Sequence, residues 1–277
     1  MIHTMPFPIL ASPSNPRIKS VARLRDRRER ESTGLTLVDG AREVRRALEA
    51  GVDVIEAFVC EPLLAGEDAR AALDLLRDRQ VAVTPTTEAA FAKVAFGDRA
   101  EGLVAIVRAP TTRLEDLALP SDPLLVVVEG VEKPGNIGAI LRSADGAGVD
   151  AVIAASPRTD LANPNVIRAS AGTFFAVPMA AAPTADVMGW LRERGIRMVA
   201  ARVDAERSYI ETDLTGPLAI VLGSEAAGLT DTWRAAEVDT IRLPMRGVAD
   251  SLNVSVAAAV LLYEARRQRD RHPERPD

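Results

Sequence analysis

Short apolar runs alternate with amphipathic stretches along the first 108 residues. The runs LTLVDG, VIEAFVC, VAVTP and GLVAIV predict strands, and AREVRRALEAG, EDARAALDLLRDRQ and EAAFAKVAF predict the helices between them. Apolar runs of this length are typical of buried strands that are covered by helices. The pattern therefore predicts a small α/β domain in this half of the chain.

The same alternation returns in the second half. LLVVVEG, AVIAA, IRMVAA, LAIVLG and TIRLP predict strands, while residues 137–147, VMGWLRERG and NVSVAAAVLLYEARRQR predict helices. This order is typical of an α/β domain with a mostly parallel sheet. Between the halves, RAPTTRLEDLALPSDP has three prolines and no clear period, which indicates a linker. The predicted parts are a domain over 1–108, a linker over 109–122 and a second domain over 123–277.

Composition limits the chemistry that the chain can perform. Its two histidines, His3 and His272, lie near the ends, which argues against histidine-dependent catalysis and against a His/Cys zinc site. The lone Cys60, inside VIEAFVC, is predicted to be a core thiol of a reduced, cytoplasmic protein. The chain has no apolar run long enough to cross a membrane and no signal-peptide pattern, so we expect no membrane partner.

The charge is unevenly distributed. The net charge of −5 argues against a uniformly basic nucleic-acid binder, but residues 17–46 carry ten basic against five acidic side chains. The stretch NPRIKSVARLRDRRER predicts one basic helix, which is either a solvated surface or an edge that contacts phosphates. The candidate RNA-binding residues on it are Arg17, Lys19, Arg23, Arg25, Arg27 and Arg28.

Three predicted strands of the second half are followed by unusual loops, at the edge where α/β sheets bind ligands. The GNIG of EKPGNIGAILR matches neither a dinucleotide fingerprint nor a P-loop. Arg142, after it, is either a surface arginine or a substrate contact. Glu225 could sit at the start of a helix AAGLTDTW, and Asn253 could cap the last helix.

Taken together, these segments are more specific than any one of them. NxGxxxR, LGSExxGL and LPM…SLNVSVAAAVLLYE, in this order and with NPNVIRASAGTFFAVP among them, resemble the SpoU/TrmH family of RNA 2′-O-ribose methyltransferases, of the SPOUT class. The resemblance is strong over 123–277. The N-terminal half resembles, more loosely, the family's ribosomal-protein-like RNA-binding domain.

The resemblance implies a fold, a cofactor and partners. The fold would be a parallel-sheet SPOUT domain whose C-terminal part forms a trefoil knot, which general rules of topology would not predict. The cofactor would be S-adenosyl-L-methionine, the substrate a ribose of RNA, and the protein a homodimer. Ribosomal RNA, most of all 23S, is favoured by the additional N-terminal domain, and transfer RNA is the alternative.

The resemblance also assigns site residues. The catalytic set is Asn136, Arg142, Glu225, Ser251 and Asn253. The cofactor set is Leu222, Gly223, Leu243, Met245, Ser251 and Leu252, and no metal is involved. The family's mechanism makes the arginine the base, but a guanidinium is almost always protonated. We therefore favour a role in which Arg142 contacts phosphate and stabilises the developing alkoxide.

Two other classes of protein compete with this interpretation. A catalytically silent RNA-binding protein could keep the fold, but the five intact catalytic positions argue against it. A dinucleotide-dependent oxidoreductase is disfavoured because its glycine fingerprint is missing. The pattern leaves the target nucleotide open, and also whether the modification is housekeeping or gives antibiotic resistance.

Overall fold

The computed structural model describes most of the chain, in three stretches: residues 8–95, 101–225 and 227–271. Its internal contacts divide the chain into two compact units. The first unit comprises residues 1–110 and 160–176, and the second comprises 111–159 and 177–277. The segment 160–176 therefore folds with the first unit, whereas the sequence pattern assigned it to the second domain. His3 and His272 lie outside the described residues.

The helices and strands are numbered in chain order. The α-helices are α1 (Pro16–Arg23), α2 (Arg27–Thr33), α3 (Ala41–Glu49), α4 (Gly66–Asp78), α5 (Glu88–Val94), α6 (Pro134–Ala147), α7 (Pro164–Ala169), α8 (Thr184–Glu193) and α9 (Val254–Arg271). The strands are β1 (Leu35–Asp39), β2 (Val54–Val59), β3 (Ala82–Pro85), β4 (Leu103–Arg108), β5 (Leu124–Glu129), β6 (Ala151–Ala155), β7 (Met179–Ala182), β8 (Arg197–Ala201), β9 (Leu218–Leu222) and β10 (Val238–Ile241).

The first unit contains a four-stranded mixed sheet in the order β1-β4-β2-β3. Strand β4 is antiparallel to both of its neighbours, and β2 pairs in parallel with β3. Phe58, Phe91 and Ile106 contribute to its apolar core, together with Cys60, which is fully buried. The predicted α/β organisation of this half and the predicted core position of the cysteine are both confirmed.

The basic stretch forms two helices and not the single helix that was predicted. α1 ends at Arg23, and α2 begins at Arg27 with the Asp26 side chain accepting from the backbone N–H of Arg28 at 2.8 Å. The bend between them is held by Arg30, which is buried. Its guanidinium donates to the carbonyl oxygens of Leu24 and Arg25 at 2.8 and 2.7 Å.

The second unit contains a six-stranded sheet in the order β10-β8-β9-β5-β6-β7. All of its strand pairs are parallel, which confirms the predicted sheet. Strand β7 and helix α7 were missed, because MAAA is a short alanine-rich run and PNVIRA is a short helix. The predicted helix AAGLTDTW is wrong, since only a 3-10 turn, Asp231–Arg234, forms there.

The order of the strands places β5 beside β9. The chain runs outward from β5 through β6 to β7, and then returns to the other side of β9. The strand order therefore reverses at β5 and β9, which is where open parallel sheets bind their ligands. Within the described stretches, no helix is long and apolar enough to cross a membrane.

We expect Arg30 to be a major source of stability in the first unit. Besides its two carbonyl contacts, its guanidinium pairs with Asp160 at 2.7 Å, and the arginine side chain is only 3% exposed. Arg30→Ala leaves the largely buried carboxylate of Asp160, 15% exposed, without its cation and the two carbonyl oxygens without their donor, so it should lower the free energy of unfolding of this unit by about 3 kcal/mol. Hydrogen exchange of the β1 amides measures this change.

Arg27→Ala is the matched control, because Arg27 pairs with Glu31 at 2.6 Å on the exposed face of α2. Exposed pairs of this kind contribute little, so the control should change the free energy by less than about 0.5 kcal/mol. Equal effects of the two substitutions would contradict the role given to Arg30.

Candidate functional site

The predicted catalytic residues lie on loops at the carboxyl ends of the strands. The segment after β5 leads directly into α6, which begins at Pro134, three residues earlier than predicted. Proline is well suited to the first position of a helix because the first N–H groups have no partner within the helix. Gly135 and Asn136 therefore lie in the first turn of α6, and the predicted glycine loop is part of a helix. This turn brings Asn136 to the loop that follows β9.

The side chain of Asn253 joins two of these loops. Its Nδ2 donates to Asn136 Oδ1 at 3.3 Å and to Glu225 Oε1. Its Oδ1 accepts from the backbone N–H of Ser255 at 2.9 Å, which caps the N-terminus of α9. Asn253 therefore caps the helix, as one of its two predicted alternatives had it, and its amide nitrogen also contacts two other predicted site residues. Three of the five predicted catalytic residues form one hydrogen-bonded cluster.

Lys133 belongs to this cluster although the sequence analysis missed it. Its Nζ lies 2.6 Å from Glu225 Oε2. Hydrogen bonding to Lys133, and then to Asn136, holds the pKa of Glu225 below its ordinary value. Lys133 stands three residues before Asn136 in EKPGN, so its proximity to the motif was the available signal. The carboxylate is thus kept ionised and is a weak base.

A cavity of about 400 Å³ opens beside the cluster. Its wall includes all six residues of the predicted cofactor set: Leu222, Gly223, Leu243, Met245, Ser251 and Leu252. Three carboxylates, those of Asp204, Glu225 and Asp250, also lie in the wall, together with the guanidinium of Arg202, which pairs with Asp204 at 3.0 Å. Apolar surface with backbone groups at strand ends suits an adenosine, and nearby carboxylates favour a cation such as a sulfonium. The residues present therefore fit S-adenosylmethionine.

A second, smaller cavity of about 190 Å³ shares Glu225 with the first. Lys133 and Asn136 line this cavity, while Ser224, Glu225 and Val254 line both. Glu225, the carboxylate of the polar cluster, thus stands in the wall that the two cavities share. A group bound in one cavity would face a group bound in the other across this wall.

Gly223 is required by the backbone of its own loop. A Cβ atom at this position would lie 2.2 Å from the carbonyl carbon of Gly228 and 2.3 Å from the nitrogen of Leu229. Such contacts are impossible without moving the loop. A side chain at this position would therefore collide with the protein's own backbone before it could affect a bound cofactor.

Two predicted catalytic residues stand outside the cluster. Arg142 is exposed on α6 and lines neither cavity, and its side chain makes no hydrogen bond or ion pair with any residue that the structure describes. Ser251 lines the larger cavity only. The structure therefore brings together Asn136, Glu225 and Asn253, and leaves the other two apart from them.

The predicted RNA-binding residues fall into three groups. The guanidinium of Arg17 pairs with Glu56, and that of Arg25 donates to the carbonyl oxygen of Ala95, so both are engaged within the first unit. Arg23 and Arg27 make exposed ion pairs with acids of α2. Lys19 and Arg28 are exposed and form no hydrogen bond through their side chains and no ion pair within the described stretches.

No group of three or more metal-binding side chains is present among the residues that the structure describes. The cluster at Glu225 carries one carboxylate, two amides and an ammonium group. A protonated lysine in direct contact with the carboxylate would compete with a cation for it. The chemistry of these residues suits hydrogen bonding to a substrate.

Comparisons with known proteins agree with this geometry. Residues 123–263 match the SpoU rRNA Methylase family, and residues 15–105 match the MRM3-like substrate binding domain. A 23S rRNA (uridine(2479)-2′-O)-methyltransferase of Streptomyces viridochromogenes is 33% identical over 90% of this chain and 88% of its own length. The 23S rRNA (guanosine-2′-O-)-methyltransferase RlmB of Vibrio parahaemolyticus is 36% identical over 83% of this chain and 96% of its own.

A solved structure is similar over both units. The AdoMet-bound rRNA methyltransferase of Sinorhizobium meliloti has a TM-score of 0.85 and 28% identity, and the match covers 94% of this chain and 98% of that one. The similarity therefore extends through the N-terminal half, where the sequence resemblance was loose.

We expect Lys133→Met to raise the pKa of Glu225. The substitution removes the largest cause of the lowered pKa and leaves the hydrogen bond to Asn136 in place, so the return toward an ordinary value should be partial. An NMR titration of the Glu225 side-chain carboxyl carbon measures both proteins. Lys93→Met, on α5 of the first unit, is the control and should leave the titration unchanged. A titration of Glu225 that is the same in wild type and Lys133→Met would contradict the coupling.

Proposed function

The chain belongs to the SpoU rRNA methylase family, and on this premise we propose that it transfers a methyl group from S-adenosylmethionine to a ribose 2′-hydroxyl of 23S ribosomal RNA. The observation that carries the proposal is the wall shared by the two cavities. Glu225 faces both the larger cavity, lined by all six predicted cofactor residues, and the smaller one, lined by Asn136. A methyl donor and a ribose placed in the two cavities would meet at this wall.

S-adenosylmethionine supplies a methyl group that its sulfonium already activates. The residues that would hold it are those of the larger cavity. Leu222, Leu243 and Met245 offer apolar contacts, and the backbone of Gly223 and Leu252 offers hydrogen bonds. The carboxylates of the wall favour the positive charge.

The reaction needs a ribose hydroxyl that is held in line with the methyl group and loses its proton. Glu225 is kept ionised by Lys133, so it is suited to accept a hydrogen bond from the hydroxyl and poorly suited to remove its proton. Asn253 holds the Glu225 carboxylate in place, and Asn136 extends the same network toward the smaller cavity. The cluster thus orients the nucleophile.

Arg142 is assigned to the RNA and not to the base. Its guanidinium is exposed and carries no partner among the described residues, so it is available for a phosphate or for the developing alkoxide. Ser251 is assigned to the cofactor side, since it lines the larger cavity. The hydroxyl proton then passes to water.

The first unit is proposed to bind the RNA, and the match of residues 15–105 to a substrate binding domain supports this role. The proposed contacts are the exposed basic residues of α1 and α2. The relatives' names differ in the base, uridine in one and guanosine in the other, so the family alone does not choose the nucleotide.

We place the protein in the cytoplasm, where ribosomes are assembled, and fractionation of cells measures this.

We propose in addition that the protein is a homodimer, as the resemblance implies. The apolar side chains of Val256 and Tyr263 are about half exposed on α9, while another stripe of the same helix, which includes Ala258, Leu261 and Leu262, is buried. A second copy could cover them. Light scattering at micromolar concentration should give the mass of two chains, and a mass of one chain would contradict the proposal. The trefoil knot stays a prediction.

Arg142→Ala should separate chemistry from cofactor binding. Removing one donor that stabilises a transition state typically costs about 100-fold or more, so single-turnover methylation of 23S RNA should fall by that factor. Calorimetric affinity for S-adenosylmethionine should stay near wild type, because the residue lies outside both cavities. Arg142→Lys should recover little, since a point charge does not reproduce the planar guanidinium.

Arg192→Ala is the matched control, because Arg192 is another exposed arginine on a helix of the same unit. It should methylate at the wild-type rate. Arg142→Ala methylating at that rate as well would make Arg142 a surface residue with no part in the reaction.

The basic helices should set the salt dependence of RNA binding. Each phosphate contact contributes about 0.7 to 0.9 to the slope of log affinity against log salt, so replacing Lys19 and Arg28 together by Gln should reduce the slope by about 1.5. Replacing Arg70 and Arg77 of α4 by Gln is the control and should leave it unchanged. Filter binding over a range of salt concentrations measures the slopes, and an unaltered slope in the first variant would support a merely solvated surface.

A further inference from the structure

A buried carboxylate lies beside the proposed cofactor cavity but does not line it. Glu129, the last residue of β5, is only 4% exposed. Its Oε1 accepts from Thr184 Oγ1 at 2.8 Å and from Thr230 Oγ1 at 3.0 Å. Its Oε2 accepts from the backbone N–H of Thr230 at 2.8 Å. Three donors therefore converge on one carboxylate.

Burying a carboxylate is costly unless its charge is compensated. No ion pair with Glu129 is present in the part of the chain that the structure describes, so the three hydrogen bonds are what compensates it. Hydrogen bonds to a charged acceptor are stronger than neutral ones. Glu129 thus holds Thr184 and Thr230 firmly in place, and its role depends on the segments to which these two threonines belong.

Thr230 connects Glu129 to the larger cavity. The preceding residues, Gly228 and Leu229, both line that cavity. The backbone of the same two residues abuts Gly223, which belongs to the proposed cofactor set. A second contact, from Arg202 Nη1 to the carbonyl oxygen of Leu229 at 3.4 Å, is longer and weaker. Gly228 is also held from its other side, since its N–H donates to the carbonyl oxygen of Ser224 at 2.9 Å, and the side chain of Leu229 packs in the core. The two hydrogen bonds between Thr230 and Glu129 fix the end of the wall that follows Leu229.

We propose that Glu129 is a positioning residue for the cofactor: through Thr230 it holds the wall formed by Gly228 and Leu229 at the distance that S-adenosylmethionine requires. The inference rests on the proposed function, since it takes the larger cavity to be the cofactor site. It assigns to Glu129 no contact with the cofactor and no step of the reaction. Its effect is on affinity for the cofactor and not on methyl transfer.

The molecule offers a matched control for this role. Thr184 donates to the same carboxylate through the same kind of hydroxyl, but it lies at the start of α8 and lines neither the larger nor the smaller cavity. Thr184→Val and Thr230→Val each remove one hydroxyl donor and keep the shape of the side chain. If Glu129 only stabilised the fold, the two variants should behave alike.

The test compares the variants by calorimetric titration with S-adenosylmethionine and by thermal unfolding. Both valine variants should lower Tm by similar amounts. Thr230→Val should weaken cofactor affinity by about 5- to 10-fold, the size expected for one hydrogen bond, and Thr184→Val by less than about twofold. Thr230→Ser keeps the hydroxyl, so its affinity for S-adenosylmethionine should stay near that of wild type.

Glu129→Gln adds a second measurement. Its amide can place a donor against the Thr230 N–H, so cofactor affinity should fall by about tenfold or more. At saturating S-adenosylmethionine, single-turnover methylation should stay within about twofold of wild type, while the KM for the cofactor rises.

Three outcomes would overturn the inference. Equal loss of cofactor affinity in Thr184→Val and Thr230→Val would make Glu129 a stabilising residue alone. Unchanged affinity in a folded Thr230→Val would remove the link between Glu129 and the cavity. Wild-type protein that binds no S-adenosylmethionine would overturn the proposed function as well, so the two failures are distinguishable.

Discussion

The side-chain amide of Asn253 makes the hydrogen bonds on which the rest of the site depends. Its oxygen caps α9, and its nitrogen donates to side chains of two other loops, Asn136 at the start of α6 and Glu225 after β9. The capping bond fixes the rotation of the amide, so the donor points where those two acceptors lie. The start of α9 and the position of the polar cluster therefore depend on the same side chain. A residue that caps the helix but has no side-chain N–H would make the capping bond and would lose the bonds to Asn136 and Glu225.

The charged side chains around that amide are mixed in sign. Asp204, Glu225 and Asp250 line the larger cavity together with Arg202, and Glu132 and Glu225 line the smaller one together with Lys133. Acidic side chains therefore outnumber basic ones in both walls, which favours a cation such as a sulfonium in the larger cavity. The phosphates of an RNA need positive charge from outside the two cavities, and the exposed guanidinium of Arg142 on α6 can supply it.

Much of the fold could be predicted from the sequence, because apolar periodicity reports which segments are buried. The motifs placed Asn136, Glu225 and Asn253 at strand ends, and the structure joins them. The contact between Lys133 and Glu225 could not be predicted, because it spans 92 residues and depends on which strands are neighbours. The steric requirement at Gly223 likewise comes from a backbone that only the folded loop brings close.

Segment 160–176 leaves the second sheet after β6 and returns to it at β7, yet it folds with the first unit. Its side chains Ile167 and Phe174 are buried there. A shortened gene that starts at residue 123 would still encode this segment but not the surface against which it packs. The apolar side chains would then be exposed, and such a fragment would be prone to aggregate. No single cut separates the two units, so recombination or truncation at the linker does not yield an independent catalytic half.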